Sequence, residues 1–108
     1  MTEELKQEIE QAIQDKAVLL FVKGTAEMPR CGFSAAVIEV FRDLEVPFTC
    51  VDVLPHPAIR RTVSEITGWP TIPQVFVGGE FLGGGDVVRE MHTAGELKPL
   101  VDRALSGD

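Results

Sequence analysis

A single cysteine, Cys31, stands between an apolar run at 17–22 and a helix-patterned run from Ala35 to Leu44. It closes the stretch Lys23-Gly24-Thr25-Ala26-Glu27-Met28-Pro29-Arg30 and opens Gly32-Phe33-Ser34. A thiol at a strand-to-helix junction sits at a helix N-terminus, where unpaired N–H groups and the macrodipole favour negative charge. That setting lowers a thiol pKa, and the thiolate is both the nucleophile and the metal ligand of cysteine chemistry. Gly32 allows close backbone approach beside it. Ser34 occupies the position where a second cysteine would close a local disulfide, so the partner sulfur has to come from another molecule.

Other residues bear on that chemistry. Lys23, at the end of the strand run, is either a solvated strand end or a cation within reach of the thiolate or of a ligand carboxylate. Gly84-Gly85-Asp86 opens a further helix-patterned run, so its N–H groups offer an anion site, with Asp86 as N-cap. Cys50 lies among β-favouring residues and reads as packing. His56 and His92 have no Cys or His cluster around them, which argues against a zinc site.

The elements that must position these groups run α-β-α-β-α-β-β-α-α. Leu5, Ile9, Ala12 and Ile13 share one helical face, with Thr2 as N-cap. Ala17 to Val22 reads as a strand covered on both faces. Val37, Ile38, Val40, Phe41 and Leu44 mark a second helix, ended by Val46-Pro47. Phe48 to Val53 is a second strand. After the turn Leu54-Pro55-His56-Pro57, a short helix carries Ile59, Val63 and Ile66 and stops at Gly68 and Pro70. Gln74–Val77 and Glu80–Leu82 flank Gly78-Gly79, a hairpin signal. Val87, Val88 and Met91 mark the fourth helix, and Leu97, Leu100, Val101 and Leu105 the fifth. Strands joined by a helix should be parallel and the hairpin antiparallel, which makes an α/β fold with a mixed four-stranded sheet flanked by helices.

Bulk properties narrow the function. At 108 residues, 44% hydrophobic and 25% charged, the chain is expected to form one soluble domain. A net charge of −7 argues against nucleic-acid binding, which needs concentrated Lys and Arg. No apolar run approaches the ~20 residues of a membrane span. The acidic start Met1-Thr2-Glu3-Glu4-Leu5 has no apolar signal core, so free thiols in the cytoplasm are expected.

Lys23-Gly24-Thr25, Cys31-Gly32-Phe33-Ser34, Trp69-Pro70-Thr71-Ile72-Pro73-Gln74 and Gly83-Gly84-x-Asp86, in this order and spacing, resemble the monothiol glutaredoxins. These form the Cys-Gly-Phe-Ser branch of the thioredoxin-fold superfamily. The resemblance covers nearly the whole chain and implies a single glutaredoxin domain over residues 1–108. It implies that Lys23 pairs with the glycine carboxylate of glutathione, and that Arg60, rather than Arg61, adds a bidentate contact. It implies a cis bond between Ile72 and Pro73, exposing the Ile72 N–H and C=O to the cysteinyl part of glutathione as to an added strand. The backbone of Gly85 and Asp86 would hold the γ-glutamyl carboxylate, with Asp86 also reaching the ligand's amino group. Many relatives carry Cys or Ser where Gly85 stands; a backbone contact survives that difference, but a redox role there does not. Trp69-Pro70 is expected to support the turn by packing. Phe33 and Ser34 are expected to shape the surface around Cys31, with Ser34 also able to cap the helix.

Two functions of different class follow. The first is a carrier: two subunits each supply Cys31, and two glutathiones supply the remaining thiolates of a labile 2Fe-2S cluster. The resemblance implies a homodimer bridged by that cluster, a role in iron–sulfur assembly and transfer to apo acceptor proteins, and partnership with BolA-type proteins. The alternative is an oxidoreductase that removes glutathione from mixed disulfides through Cys31 alone, with free glutathione resolving the intermediate. In resembling proteins a loop such as Thr25–Pro29 accompanies weak oxidoreductase activity, which favours the carrier.

Overall fold

A computed structural model describes residues 2–107, without the side chain of residue 2. The Thr2 cap expected from the sequence therefore lies outside the described residues. The elements are α1 (Thr2–Asp15), β1 (Val18–Val22), α2 (Gly32–Asp43), β2 (Thr49–Asp52), α3 (Pro57–Thr67), β3 (Gln74–Val77), β4 (Glu80–Gly83), α4 (Gly85–Thr93) and α5 (Leu97–Ser106). Their order is the one the hydrophobic periods require.

The four strands form one sheet in the order β2-β1-β3-β4. β1 runs parallel to β2, with Leu20 opposite Cys50, and antiparallel to β3, with Leu20 opposite Val75. β3 and β4 close as an antiparallel hairpin over Gly78-Gly79.

All five residues of β1 are buried because successive side chains go to opposite faces and both faces are covered. Val18, Leu20 and Val22 join Val37 and Phe41 of α2, Val88 of α4 and Leu97 and Val101 of α5. Leu19 and Phe21 join Ile9 and Ile13 of α1, Val63 of α3 and Phe76 of β3 on the other face. Phe21 and Phe76 meet edge to face at 5.7 Å, a geometry aromatic pairs prefer. Each large side chain so buried contributes about 1.5–3 kcal/mol. The sheet is thus clamped between α1/α3 and α2/α4/α5. Its strand ends are the fixed points from which the loops at Lys23, Leu54 and Pro73 depart.

Two helix starts differ from the sequence expectation. α2 begins at Gly32 rather than Ala35, with Cys31 itself as N-cap, so Ser34 lies inside the first turn and makes no cap. α4 begins at Gly85 with Gly84 as N-cap, which puts Asp86 in the first turn rather than at the cap. In both cases glycine or cysteine takes the extended cap conformation one or more residues before the polar side chain that sequence statistics favour there.

Candidate functional site

The candidate site begins where β1 ends. The Lys23 N–H donates to Ser34 Oγ (3.0 Å), and the Lys23 carbonyl accepts from the Arg30 N–H (2.9 Å). The next N–H, of Gly24, donates to Asp52 Oδ1 (2.9 Å), which also accepts from the Leu54 N–H (3.0 Å). One carboxylate at the end of β2 therefore ties together the departures of two loops.

The segment from Gly24 to Arg30 folds on itself. Gly24 and Pro29 form an antiparallel bridge, and Thr25 and Met28 exchange backbone hydrogen bonds of 3.2 Å in both directions. Arg42 of α2 donates to the Ala26 carbonyl (2.9 Å) and pins the tip. Gly24 has φ +95°, and a Cβ there would stand 2.6 Å from both Arg30 N and Met28 O. Only glycine fits.

This closed loop delivers Cys31 to the start of α2, where it is partly exposed. Its thiol pKa lies below the ordinary value, chiefly because the Ser34 N–H faces the sulfur. Burial opposes this, and the Phe33 N–H, the Lys23 charge and the Ser34 hydroxyl add to the lowering. Cys50, half-buried in β2, goes the other way. Burial pushes its thiol up to about 11, the Glu27 charge adds to that, and Arg42 opposes it. The two thiols are thus an acidic one at a helix start and an inert one packed against the α2/α4/α5 side of the sheet.

Across from Cys31 runs the segment 69–73. The Ile72–Pro73 bond is cis. The Ile72 side chain is buried among the α1/α3 core, and the residue also lines the groove. Neither its N–H nor its C=O has a hydrogen-bond partner among the described residues. Trp69 rests edge-on against Phe81 at 6.0 Å, so it packs as expected, and it also lines the groove. Gly84 brings α4 close: a Cβ there would lie 3.3 Å from the Pro73 carbonyl and 3.4 Å from the Trp69 indole nitrogen. Gly85 and Asp86 lie in the first turn of α4, where backbone N–H groups have no helical acceptor.

A groove of about 600 Å³ joins these pieces. Lys23 and Cys31 line it, as do Arg60 of α3, Ile72 and Pro73 of the turn, and Gly85 and Asp86 of α4. The positions singled out in the sequence come together on one surface, with Phe33 and Trp69 adding apolar rim. Arg61, Cys50, His56 and His92 do not line it. Among the described residues, no group of three or more His, Cys, Asp and Glu is placed to hold a metal ion. No described helix is long and apolar enough to cross a membrane.

The arrangement can present a thiolate beside a ligand carrying carboxylates at its ends and an extended peptide in its middle. Two residues that support it, Asp52 and Gln74, appear in the sequence only within a strand or a motif, with no site role assigned to them. Gln74 is fully buried, which is rare for an amide, and its sequence signal is that it opens the otherwise apolar strand run Gln74-Val75-Phe76-Val77.

The glutaredoxin family model matches residues 18–82, from β1 through most of β4. An uncharacterized monothiol glutaredoxin of Synechocystis sp. is 43% identical over 98% of this chain and 99% of its own length. A chloroplastic monothiol glutaredoxin of Arabidopsis thaliana is 40% identical over 97% of this chain, which spans 61% of that longer protein. Among solved structures, the reduced apo form of a poplar glutaredoxin superposes with a TM-score of 0.82 at 37% identity, covering 94% of each chain. A buckwheat glutaredoxin–glutathione complex superposes with a TM-score of 0.84 at 26% identity, covering 95% of this chain and 92% of the other. With its four-stranded thioredoxin fold and its lone acidic thiol at the head of α2, the chain belongs to the glutaredoxin family, on its monothiol branch.

Proposed function

We propose that the groove binds glutathione and that Cys31, beside the glutathione thiolate, holds half of a labile 2Fe-2S cluster shared with a second copy of the chain. The carrying observation is the donor set: one acidic surface thiol on the groove, with the only other cysteine raised in pKa and off it. A cluster needs four thiolates. One per chain leaves half to be supplied from outside, and glutathione is a thiol whose two carboxylates and single ammonium match the charges here. Lys23 and Arg60 suit its glycine carboxylate, the open Ile72 backbone its cysteinyl amide, and the free N–H groups of Gly85 and Asp86 its γ-glutamyl carboxylate. The Asp86 carboxylate suits its ammonium. A buckwheat relative of the same fold has been solved with glutathione bound, which supports this ligand.

The cluster is cargo here, and its assembly and transfer to apo iron–sulfur proteins is the role we assign. Half of its ligands are exchangeable small molecules, so release needs no protein unfolding. Phe33, 65% exposed on the groove beside Cys31, and Met28, 63% exposed in the preceding loop, offer apolar surface that a second subunit or a BolA-type partner would cover. We place the activity in the cytoplasm, where thiols stay reduced.

Anaerobic reconstitution with iron, sulfide and glutathione, followed by visible absorption, iron and sulfide analysis and molar mass, tests the reading. A coloured dimer with one cluster per two chains, absent from Cys31→Ser and lost when glutathione is withdrawn, is expected. A colourless monomer that reduces glutathione mixed disulfides rapidly would instead establish the oxidoreductase.

A further inference from the structure

The segment 69–73, which offers its backbone to the ligand, cannot hold itself in place. Pro70 and Pro73 have no N–H to donate. No backbone–backbone hydrogen bond joins residues 69–73 to the rest of the described chain. Its backbone is held by two side chains, Gln74 and Thr67. Gln74, fully buried as the first residue of β3, donates from Nε2 to the Trp69 carbonyl (2.9 Å) and to the Thr71 carbonyl (3.1 Å). Ser64 Oγ lies 3.4 Å from the same nitrogen. Gln74 Oε1 accepts from the Thr67 hydroxyl (2.9 Å), which in turn accepts from the Trp69 N–H (3.0 Å).

The carbonyls that Gln74 grips flank Pro70, and the second belongs to the residue before Ile72. Thr67 is the last residue of α3, so the network ties a helix end, the turn and a strand start into one unit. A side-chain amide is required for this. Glutamate would aim a second oxygen at two carbonyls, and an apolar side chain would leave both of them without this donor.

We propose that Gln74, with Thr67, is the positioning residue of the glutathione site: it sets the Ile72 backbone at pairing distance from the ligand without touching it. Its effect passes to the second ligand-holding segment as well, because Gly84 packs directly on the Pro73 carbonyl and the Trp69 indole. Gln74 is hydrogen-bonded to Ser64, Thr67, Trp69 and Thr71 and not to Cys31, whose lowered pKa comes from the start of α2. Loss of the amide should therefore weaken glutathione binding and leave the thiol unchanged.

Trp69 is the chain's sole tryptophan, so its emission reports on the turn itself. The experiment titrates glutathione into wild type, Gln74→Met, Thr67→Val and Thr67→Ser, following Trp69 emission, and measures the pH dependence of Cys31 alkylation in each. Gln74→Met and Thr67→Val should raise the glutathione Kd about tenfold and shift the emission of the free protein. Thr67→Ser, which keeps the hydroxyl, should stay near wild type. The Cys31 pH profile should be the same in all four. Unchanged glutathione affinity in a folded Gln74→Met overturns the proposal, as does a Cys31 profile that moves along with the affinity, the mark of general loosening. Should Gln74→Met fail to fold, Thr67→Val against Thr67→Ser decides by the same criteria. Because the proposal rests on glutathione as the ligand, wild type is the reference. No binding by wild type overturns the glutathione reading and this role with it, whereas binding that the variants leave intact overturns this role alone.

Discussion

Replacing Ser34 by alanine separates two quantities that this residue joins. Its hydroxyl is fully buried and accepts the Lys23 N–H at 3.0 Å, while its own backbone N–H is the largest cause of the lowered Cys31 pKa. Alanine removes the first and keeps the second. A buried N–H left without an acceptor costs about 1–3 kcal/mol. The volume change is one oxygen atom, so no cavity adds to that cost. At about 4–8 °C of Tm per kcal/mol for a domain near 100 residues, the variant should melt roughly 4–24 °C below the parent. The thiol should respond much less. The Ser34 hydroxyl is the smallest of the causes acting on Cys31, so its pKa should rise slightly and remain below the ordinary value. Calorimetry gives the first number, and the pH dependence of alkylation by iodoacetamide gives the second. A Tm within about 2 °C of the parent would show that the end of β1 does not depend on this hydrogen bond. A Cys31 pKa restored to the ordinary value would show that the hydroxyl, and not the helix N–H groups, makes the thiol acidic.

Gly24→Ala should destabilise the chain by more than about 2 kcal/mol, since it combines a positive φ with a Cβ 2.6 Å from two backbone atoms; urea denaturation measures it, and an unchanged midpoint would mean the loop 24–30 is not held as described. Cys50 should resist alkylation near neutral pH while Cys31 reacts, and mass mapping of the labelled native protein decides this. The native Cys50 thiol ionises at about 11 against an ordinary 9.0, so between those values the native state binds more protons than the unfolded one. Stability should therefore fall as pH rises through that window, and Cys50→Ala should flatten the fall. Cys31, with its pKa lowered, has the opposite sign: its contribution is present above the unfolded value and is lost as pH drops through the folded one.

What was legible in the sequence and what was not follow from where each residue stands relative to the hydrophobic period. The five helices and four strands were legible because their apolar faces repeat at 3.6 or alternate, and β1 because an unbroken apolar run requires cover on both sides. Cys31, Lys23, Gly85 and Asp86 stood out because they occupy breaks in that pattern, at ends of elements where backbone groups are free. Arg60 and the Ile72–Pro73 turn were chosen through family resemblance, since nothing local separates Arg60 from Arg61. The groups that hold these in place sit inside the pattern and act across it. Asp52 reads as the polar end of a strand, yet its partner is the Gly24 N–H, 28 residues away. Ser34 reads as a helix cap, but α2 starts two residues before it, and its hydroxyl turns back to Lys23. Gln74 reads as the first residue of a strand. Its strand companions Val75, Phe76 and Val77 are apolar and buried, so an amide there must find partners, and it finds them in the carbonyls of the 69–71 turn. A fully polar side chain in a strand buried on both faces is thus a question the sequence poses without answering. Here the answer is the segment that meets the ligand. The residues that touch glutathione in the proposed site can be found by asking where the chain leaves its regular structure, and the residues that aim them by asking which buried polar side chains the regular structure cannot satisfy.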